Sequence, residues 1–388
     1  MKRKSILFLT NVYPDFESSY RGIFIKKMAD LLKKNWYEIS VVTPKIYKGS
    51  RYFENQNGVR VFRFPFMARN KLLIEYQKVP YGKMILYYIS GFFLTIYVVL
   101  KYKCSLIHTH WAIPNGLISI LMGALLRRPF VVTIHGSDFR LATEKSKFLR
   151  TIFIWICKKA RHIMCVSKVQ EEEIEKMEIQ KEKIWTFPMG IDEGFLEVGK
   201  NRERKPHGQP YTIISNRSLL SIYNVSLLIR AIPMVLKEES NTQFLIAGDG
   251  PERKNLQQEA RDLDLGPTVR FMGRISHEKM PSLLAQADIY VSTSLHDGTS
   301  VSLLEAMGSG AFPVVTDIPS NREWISDGDN GFLVPKEDEN LLAKKIVEAI
   351  RNHRLLREAS TKNQEIVEQR AYWRENLKKI TELYQNSL

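Results

Sequence analysis

Short apolar segments alternate with helical hydrophobic patterns along most of the chain, and this alternation constrains the fold more than any other feature. Ile6–Leu9 and Ile39–Val42 are short apolar runs, and apolar residues recur at helical spacing from Ile23 to Leu32 between them. This strand–helix–strand order is typical of a parallel sheet. Because the strands are mostly apolar on both sides, we expect helices on both faces of the sheet and an α/β fold.

The alternation forms two sets. The first set continues with predicted strands at Val59–Phe64, Leu106–His108, Phe130–Ile134 and His162–Val166. The second set has predicted strands at Tyr211–Ser215, Phe244–Ala247, Val269–Met272, Ile289–Ser292 and Phe312–Val315. Helices are predicted over 301–308 and, at the end of the chain, over roughly 368–386. Two doubly wound halves are therefore expected.

A polar, basic segment separates the two sets. Residues 199–210 (GKNRERKPHGQP) break the hydrophobic periodicity and are predicted to be a linker. We accordingly assign residues 1–198 to the first domain and 211–366 to the second. Residues 367–388 form a C-terminal helix whose apolar stripe needs a packing partner.

The positive charge is concentrated in the first third of the chain. The net formal charge is +15; residues 1–130 hold 21 Lys+Arg against 6 Asp+Glu, and residues 131–388 hold 36 of each. This asymmetry indicates an anionic partner, which can be nucleic acid, an anionic membrane surface or a charged substrate. A basic surface with no partner is the plain alternative. Because no nucleic-acid-binding motif accompanies the charge, nucleic acid is not expected.

Composition and metal-ligand spacing exclude further classes. With 44% hydrophobic residues and only 3 cysteines, neither a disordered chain nor a disulfide scaffold is expected. The cysteines form no C-x-x-C pair and fit a reducing, cytoplasmic compartment. His108 and His110 share one face of a predicted strand, but no third ligand is near them in sequence. We therefore expect no metal site.

Residues 84–100 (MILYYISGFFLTIYVVL) are uncharged and lie between Lys83 and Lys101. As a helix they would extend about 25 Å, which is less than the roughly 30 Å of a bilayer core. Three interpretations stay open: a helix buried against the sheet, a helix with one face docked on a membrane, and a membrane span. Docking agrees with the surrounding lysines and tyrosines, and it predicts a peripheral position on the cytoplasmic membrane face.

Two carboxylates eight residues apart, Asp297 and Glu305, flank small polar residues. If a helix begins near Ser300, its free N–H groups and positive dipole end create an anion site, beside which Thr299 and Ser300 supply hydroxyls. Glu305, about one and a half turns into the helix, is then placed to accept hydrogen bonds from sugar hydroxyls. An N-cap plus a surface glutamate explains the spacing equally well. The small, apolar residues after Glu305 favour a packed, functional carboxylate.

Glycines mark two further positions at strand ends. Gly248-Asp-Gly-Pro251 follows a predicted strand and leads into a helix, at the sheet edge where α/β proteins bind ligands. A plain turn is the alternative, and neither a dinucleotide-binding nor a P-loop pattern occurs. Gly22 precedes a helix and would let the backbone approach a phosphate. His135, at a strand's carboxyl end before Gly136, can donate to a ligand hydroxyl or phosphate.

Together these motifs resemble the retaining glycosyltransferases of the GT-B fold, specifically family 4, the "glycosyl transferases group 1" type. The resemblance runs nearly end to end, and the order and spacing of the motifs are highly specific. The matching segments are Pro14 with Gly22, His135–Asp138, Pro188–Asp192, Arg217, Gly248–Pro251, Gly273, Asp297–Glu305 and Ser326–Leu333. The resemblance implies two Rossmann-like domains facing across a cleft, with the C-terminal helix crossing back to the N-terminal domain.

The resemblance also implies roles for individual residues. Glu305 should hold the ribose, Asp297 the hydroxyls of the donor sugar, and His135 the sugar near the reacting carbon. The diphosphate should be neutralised by Arg217, by Gly22 and by the backbone of Gly298, Thr299, Ser300 and Val301. The remaining donor contacts fall to Gly248 and Gly250, and to Gly273, Arg274 and Ile275 at the base pocket.

Two residues depart from the family pattern. The first carboxylate of the E-x7-E motif is Asp297, one methylene shorter. Where the family usually has Arg followed by Lys-Gly, Arg217 is followed by Tyr223-Asn224. A tyrosine can hydrogen-bond phosphate but adds no charge. The change is either a variation within the family or a cause of weaker donor binding.

The resemblance implies a retaining hexosyltransferase that moves a sugar from a UDP- or GDP-linked donor to a hydroxyl acceptor. The N-terminal domain should take the acceptor, a glycan or lipid-linked precursor of polysaccharide biosynthesis. No metal or other cofactor is expected. A catalytically inactive nucleotide-sugar-binding protein and a nucleotide-sugar epimerase of the same fold remain as alternatives. The oligomeric state and the identity of the acceptor are not determined by the sequence.

Overall fold

The computed structural model describes residues 3–16, 21–68, 70–71, 73, 76, 80–202 and 209–388. By their packing, these residues divide into two compact units: Met1–Pro188 together with Asn376–Leu388, and Met189–Glu375. Residues 189–198, which the sequence analysis assigned to the first domain, therefore pack with the second unit. Most of the C-terminal helix packs with the first. Of the segment interpreted as a linker, residues 199 and 200 are helical, and residues 203–208 lie outside the described residues.

The first unit contains a mixed sheet with helices on both faces. Its strands are β1 (Lys4–Leu9), β2 (Tyr37–Lys45), β3 (Phe53–Gln56), β4 (Val59–Pro65), β5 (Leu106–His110), β6 (Phe130–Ile134), β7 (His162–Cys165) and β8 (Ile184–Thr186). Its helices are α1 (Ile23–Asn35), α2 (Tyr81–Lys101), α3 (Ala112–Leu126), α4 (Ser137–Arg140), α5 (Lys147–Lys159) and α6 (Lys168–Glu175). Among the described residues the strand order is β3-β4-β2-β1-β5-β6-β7-β8, parallel except for the antiparallel edge pair β3 and β4.

The second unit has a fully parallel sheet in the part of the chain that is described. Its strands are β9 (Tyr211–Ser215), β10 (Thr242–Ile246), β11 (Val269–Phe271), β12 (Ile289–Ser292), β13 (Phe312–Thr316) and β14 (Phe332–Val334), in the order β11-β10-β9-β12-β13-β14. Its helices are α7 (Glu193–Lys200), α8 (Val225–Glu238), α9 (Arg253–Asp262), α10 (Met280–Ala285), α11 (Val301–Gly308), α12 (Pro319–Arg322), α13 (Glu339–Arg351) and α14 (His353–Arg370). The last helix, α15 (Trp373–Ser387), begins in this unit, and its residues from Asn376 onward belong to the first. The α/β fold is confirmed, with one fully parallel sheet and one sheet that is parallel except at an edge.

Alternating residues of the strands face different helical layers. Leu7 and Leu9 of β1 join the apolar core that α2, α3 and α5 form on one face of the first sheet. Phe8, between them, lies on the other face, where its ring contacts the imidazole of His108. Because both faces are covered, the strands are apolar throughout, as the sequence pattern predicted.

The order of the strands places loops at two switch points. In the first sheet, successive strands run outward in opposite directions from β1 and β5; in the second sheet they do so from β9 and β12. The loops that follow such strands leave toward opposite faces of the sheet, and α/β proteins bind ligands in the crevice between these loops. His135 follows β6, next to β5, whereas Arg217 and Asp297 follow β9 and β12.

The C-terminal helix differs from its prediction. Instead of one helix from about residue 368, α14 ends at Arg370 and α15 begins at Trp373. The break occurs where the backbone N–H of Ile191 donates to the carbonyl of Ala371 at 2.9 Å. A distant segment thus takes a carbonyl that a continuous helix would use itself.

Helix α2 is buried on one side and exposed on the other. By length and composition Gly82–Lys101 is able to cross a membrane. In the structure one side packs on the sheet, with Tyr87 and Val98 fully buried, whereas Phe93 on the opposite side is 65% exposed. The interpretation of this segment as a helix is confirmed, and the interpretation as a wholly buried helix is wrong.

Candidate functional site

Arg217 is the centre of a polar cluster at the switch point of the second sheet. Its guanidinium is buried, donates from Nη2 to Asp297 Oδ2 at 2.6 Å, and donates from Nη1 to the hydroxyls of Ser300 and Ser302 at 2.7 Å each. Burial alone would lower the pKa of Arg217, but the ion pair with Asp297 raises it above its ordinary value. The guanidinium is therefore a permanent cation, and the carboxylate of Asp297 is its partner.

One donor of this guanidinium is unused. The Nε–H of Arg217 has no hydrogen-bond partner among the residues that the structure describes. A buried donor without a partner is costly, by about 1–3 kcal/mol.

Tyr223 lies directly beside Arg217. The centre of the guanidinium is 4.0 Å from the centroid of the tyrosine ring. Tyr223 ends a short 3₁₀ turn, Ser221–Tyr223, before α8, and Asn224 then adopts a left-handed conformation with φ 43°. The residue found where the family pattern has lysine thus stacks on the arginine through a cation–π contact.

Helix α11 begins at this cluster. Ser300 is its N-cap, and the Ser300 hydroxyl accepts a hydrogen bond from the backbone N–H of Leu303 at 3.3 Å. Gly298 and Thr299 precede the cap, and Val301 is the first helical residue. The prediction of a helix beginning near Ser300 is confirmed, and its positive dipole end lies beside Arg217.

Glu305 is a buried carboxyl on α11. Its Oε1 is 3.8 Å from His277 Nδ1, and His277 Nε2 is 3.1 Å from Asp192 Oδ2. Burial raises the pKa of Glu305 to about 7, even though His277 and Arg217 oppose the shift. This glutamate is packed inside the protein and not on its surface, as the small residues after it indicated.

The glycines after β10 are required by close packing. A Cβ at Gly248 would lie 2.1 Å from the carbonyl oxygen of Arg217, and one at Gly250 would lie 2.3 Å from that of Leu219. The loop that carries Arg217 therefore rests on the Gly248–Gly250 backbone. Their visible role is to position Arg217, a role that the sequence did not predict.

Three predicted base-pocket residues lie one strand further out, after β11. Gly273 has φ 68°, which favours glycine. Arg274 Nε is 3.2 Å from Asp249 Oδ2, so its charge is paired. Ile275 is partly buried against the apolar core that contains α11.

In the first unit three histidine rings form a continuous stack. The centroids of His108 and His110 are 4.2 Å apart, those of His110 and His135 are 5.3 Å apart, and both pairs are nearly parallel. His110 Nδ1 is 3.0 Å from His135 Nε2, so one of these nitrogens donates to the other. His108 Nδ1 contacts the hydroxyl of Tyr384 on α15.

The histidines are neutral. Burial is the main cause that lowers the pKa of His108 and of His135 to about 3, and it lowers the pKa of His110 well below its usual value. Among the described residues there is no group of three or more His, Cys, Asp or Glu side chains arranged to hold a metal ion. His135 can therefore donate or accept a hydrogen bond, but it is not a cation.

Aromatic rings and a buried carboxylate fix the position of His135. Its ring is 4.2 Å from that of Trp111 and 5.2 Å from that of Phe24. Its backbone N–H donates to Asp138 Oδ1 at 3.1 Å, and the backbone N–H of Ala112 donates to Asp138 Oδ2 at 2.7 Å. Asp138 thus joins the loops that follow β5 and β6.

Gly22 is the N-cap of α1, with φ 72°. A Cβ there would lie 3.0 Å from the carbonyl oxygen of Val12, so both the backbone conformation and the available space favour glycine. The prediction that Gly22 immediately precedes a helix is confirmed.

The structure brings together Arg217, Tyr223, Asp297 and Ser300 by direct contact, and it places Gly248 and Gly250 beneath them. His135 and Gly22 belong to the other unit. Sequence reasoning missed Ser302, His277 and Trp111. Ser302 stands inside the motif that contains Asp297, but nothing near His277 in the sequence marked it.

The sequence matches two family descriptions that together cover most of the chain. Residues 22–195 match "Glycosyltransferase Family 4", and residues 198–378 match "Glycosyl transferases group 1". Alpha-monoglucosyldiacylglycerol synthase of Streptococcus pneumoniae is 23% identical over 342 residues, which are 84% of this chain and 74% of that protein.

Solved structures share the fold. Sucrose-phosphate synthase of Thermosynechococcus elongatus superposes with a TM-score of 0.79 at 18% identity, covering 99% of this chain and 98% of that one. Anabaena Alr3699/HepE in complex with UDP-glucose gives a TM-score of 0.75 at 18% identity, covering 98% and 99%. The chain therefore belongs to the GT-B glycosyltransferases of family 4, the glycosyl transferases group 1 type.

Proposed function

We propose that this glycosyltransferase moves a hexose from a nucleotide-diphosphate donor, UDP-linked in the first instance, to a hydroxyl acceptor with retention at the anomeric carbon. The observation that carries the proposal is the position of Arg217 at the start of α11, where Asp297, Ser300 and Ser302 hold its guanidinium. A fixed cation beside a helix N-terminus suits a diphosphate. HepE was crystallised with UDP-glucose, which supports the choice of donor.

The chemical difficulty of the reaction is the charge that develops on the leaving group. Cleaving the bond between sugar and phosphate leaves negative charge on the diphosphate while the sugar becomes cationic. Arg217 and the N–H groups at the start of α11 are pre-oriented donors, and such donors stabilise charge that develops in a transition state. The hydroxyls of Ser300 and Ser302 fix the guanidinium before the donor binds. No divalent metal is required if these groups neutralise the diphosphate.

Asp297 and Glu305 have different surroundings, which suits two binding roles. Asp297, paired with Arg217, accepts hydrogen bonds from hydroxyls of the donor sugar. Glu305, with a pKa of about 7, is partly protonated near neutral pH and is able both to donate to and to accept from the ribose hydroxyls. Neither carboxylate is proposed as a covalent nucleophile. The attack is proposed to occur on the face from which the phosphate departs, with that phosphate assisting.

His135 is proposed to hydrogen-bond a sugar hydroxyl near the reacting carbon. A neutral imidazole suits this role, because it does not add positive charge beside a developing oxocarbenium ion. The contact with His110 Nδ1 occupies His135 Nε2, which leaves Nδ1 as the nitrogen for the ligand.

The acceptor is proposed to be a lipid-linked or glycan hydroxyl, and the protein to work in the cytoplasm. The diacylglycerol-glycosylating relative supports a lipid acceptor. The proposal for the acceptor is independent of that for the donor.

The reaction is tested by incubating the full chain with UDP-, GDP- and ADP-sugars and measuring nucleotide release with and without acceptor hydroxyls. For Arg217→Ala and for Glu305→Ala we expect turnover to fall by about 10²-fold or more with the fold retained. Arg351→Ala, which removes a surface ion pair with Glu239, is the control of matched chemistry. Transfer in the presence of excess EDTA should equal transfer without it.

Three results contradict the proposal. Full activity in both site variants would exclude the assigned site. Tight binding of nucleotide sugars without release would indicate an inactive binding protein. A change of configuration in the sugar while it stays attached to the nucleotide, seen by proton NMR, would indicate an epimerase.

A further inference from the structure

Helix α2 exposes a continuous apolar stripe. Ile85, Ile89, Phe93, Tyr97 and Leu100 follow one another at helical spacing, and all are exposed. The opposite side of the helix is buried against the sheet, at Tyr87, Thr95, Val98 and Val99. Ordinary surface helices present polar residues on the outer side. This helix instead carries apolar residues on both sides.

Helix α3, which packs beside α2, and helix α5, which packs beside α3, also expose apolar residues. Helices α2, α3 and α5 belong to the same apolar core on one face of the first sheet. On α3, Leu121 and Leu125 are exposed; on α5, Phe148 is 71% and Trp155 46% exposed. We call these nine exposed residues of α2, α3 and α5 the apolar face. Contiguous exposed apolar surface of this kind marks a binding site for a protein or a membrane.

The charged residues on these helices have one sign. The three segments 81–101, 112–126 and 147–159 contain six Lys and Arg and no Asp or Glu. At the end of α2, Lys101 Nζ donates to the hydroxyl of Tyr97 at 2.5 Å, which holds an ammonium beside an aromatic ring. Aromatic and basic side chains around an apolar surface are the combination that favours the bilayer interface.

A basic cavity lies at one end of the apolar face. It has a volume of about 900 Å³ and opens between the carboxyl ends of α3 and α5, at the sheet edge where β6 and β7 begin. Its charged lining is basic apart from Glu182, and consists of Arg127, Arg128, Lys159, Arg161 and Lys183. Lys183 caps α5 through the carbonyls of Lys158 and Ala160. His135 follows the opposite end of β6, so this cavity is not part of the site described above.

Helix ends explain only part of this charge. Basic residues near a helix C-terminus offset the helix dipole. Lys183 has this role, because it hydrogen-bonds the carbonyls at the end of α5. Arg128 Nε, although buried, has no hydrogen-bond partner among the described residues. The five basic side chains that line the cavity suit an anion with several oxygen atoms, such as a phosphate diester.

We propose that the apolar face docks on an anionic lipid bilayer, with the basic cavity receiving a lipid phosphate. The apolar side chains enter the boundary between headgroups and acyl chains, and the surrounding lysines and arginines lie among the headgroups. The cavity then holds one headgroup at the edge of the face. Docking concentrates the protein at the surface where a lipid-linked acceptor is found.

Charge argues for a bilayer rather than a second copy of the chain. In a two-fold dimer, the same patch meets itself. The six cations would then be brought together without a carboxylate on any of the three helices to pair them. An anionic bilayer supplies the missing negative charge and accepts the apolar side chains as well.

The test is sedimentation of the full chain with vesicles, without any nucleotide sugar. We expect binding to vesicles of phosphatidylglycerol and phosphatidylcholine, weakening as salt is added, and little binding to phosphatidylcholine alone. Ile89→Ser with Phe93→Ser should reduce the bound fraction strongly. The control is Trp36→Ser, which changes an exposed aromatic residue after α1, outside the apolar face.

A second pair of variants tests whether basic residues in the cavity contribute more to vesicle binding than basic residues elsewhere on the surface. Arg127→Ala with Lys159→Ala should weaken binding to the anionic vesicles by about tenfold or more, since each basic residue near such a surface contributes about fivefold. Lys34→Ala with Lys237→Ala removes two exposed lysines elsewhere and should have a smaller effect. Equal effects of the two pairs would overturn the headgroup site.

Two other outcomes would overturn docking itself. One is failure of the wild-type chain to sediment with anionic vesicles at low salt. The other is a concentration-dependent dimer, seen by analytical ultracentrifugation, that Phe93→Ser abolishes while vesicle binding is unchanged. Because no donor or acceptor is present, failure of this experiment leaves the proposed reaction untouched, and an inactive enzyme can still pass it.

Discussion

The ring of Tyr223 packs 4.0 Å from the Arg217 guanidinium, which also forms an ion pair with Asp297. A lysine in place of Tyr223 would set a second cation against the first before any ligand arrives. The tyrosine instead supplies a negative ring face and shields the ion pair from water. The proposed diphosphate site is therefore built around one cation supported by an aromatic ring.

Replacing Tyr223 tests this support. Tyr223→Phe keeps the ring and should keep most of the stability, whereas Tyr223→Ala should lower the free energy of unfolding by about 1–2 kcal/mol because the desolvated cation–π contact is lost. Donor affinity should follow the same order, since a looser guanidinium is less well oriented. Urea unfolding and calorimetric titration with UDP measure the two effects.

Tyr223→Lys gives a sharper result. The added ammonium repels Arg217 in the free protein but pairs with a bound diphosphate. We expect a lower melting temperature without ligand and a larger rise on adding UDP than in the wild type. An unchanged melting temperature and an unchanged rise would show that residue 223 does not influence the charge at this site.

The protonation of Glu305 makes stability depend on pH. Its pKa is about 7 in the folded protein, compared with 4.5 for an ordinary glutamate, so the native state binds the proton more tightly than the unfolded chain does. This group therefore stabilises the protein fully below about pH 4.5, and its contribution is lost as the pH rises through about 7.

Glu305→Gln isolates that contribution, because glutamine stays neutral at every pH. The free energy of unfolding of the wild type minus that of the variant should fall by up to about 3 kcal/mol between roughly pH 4.5 and pH 8. Urea titrations at several pH values measure the difference. Glu365→Gln, on the exposed side of α14, controls for loss of one charge. A difference that rises with pH would contradict the assigned shift.

The sequence predicted continuous apolar elements best. The predicted bounds are those observed for strands β6, β9 and β12 and for helix α11. The strands were predictable because a buried strand between two helical layers must be apolar throughout. Strand β3 was missed, since Phe53–Gln56 is a short, partly exposed edge strand. The Asn57-Gly58 turn that joins it to β4, with both φ values positive, was an available hairpin signal.

The site was predictable only where a motif is local. Ser300 caps α11 within one run of sequence, so the helix start was visible. The Arg217–Tyr223 contact depends on a left-handed Asn224 that turns the chain back, and the Glu305–His277–Asp192 arrangement joins three separate loops and helices. Tertiary packing creates these contacts, and no spacing in the sequence encodes them.

Gly248 should be intolerant of even one methyl group. In Gly248→Ala, the new Cβ would lie 2.1 Å from the Arg217 carbonyl oxygen, so the loop that carries Arg217 has to move. We expect a loss of about 1–3 kcal/mol in unfolding free energy together with weaker UDP binding. Gly82→Ala is the matched control, because a Cβ there meets nothing within 4 Å. Equal UDP affinity in both variants would show that the loop does not depend on Gly248.

Asp138 is expected to hold His135 in place. Its buried carboxylate accepts the backbone N–H groups of Ala112 and His135. In Asp138→Ala both donors lose their partner, so the free energy of unfolding should fall by about 2–4 kcal/mol.

The same change should loosen the loop after β6 and with it the contact between the rings of Trp111 and His135. Near-UV circular dichroism should therefore lose intensity in the tryptophan bands under conditions in which Asp138→Ala is still folded by far-UV measurement. Asp138→Asn retains one acceptor oxygen, so its stability and its tryptophan signal should lie between those of Asp138→Ala and the wild type. If Asp138→Ala lowers stability but leaves the tryptophan bands intact, the carboxylate stabilises the fold without positioning His135.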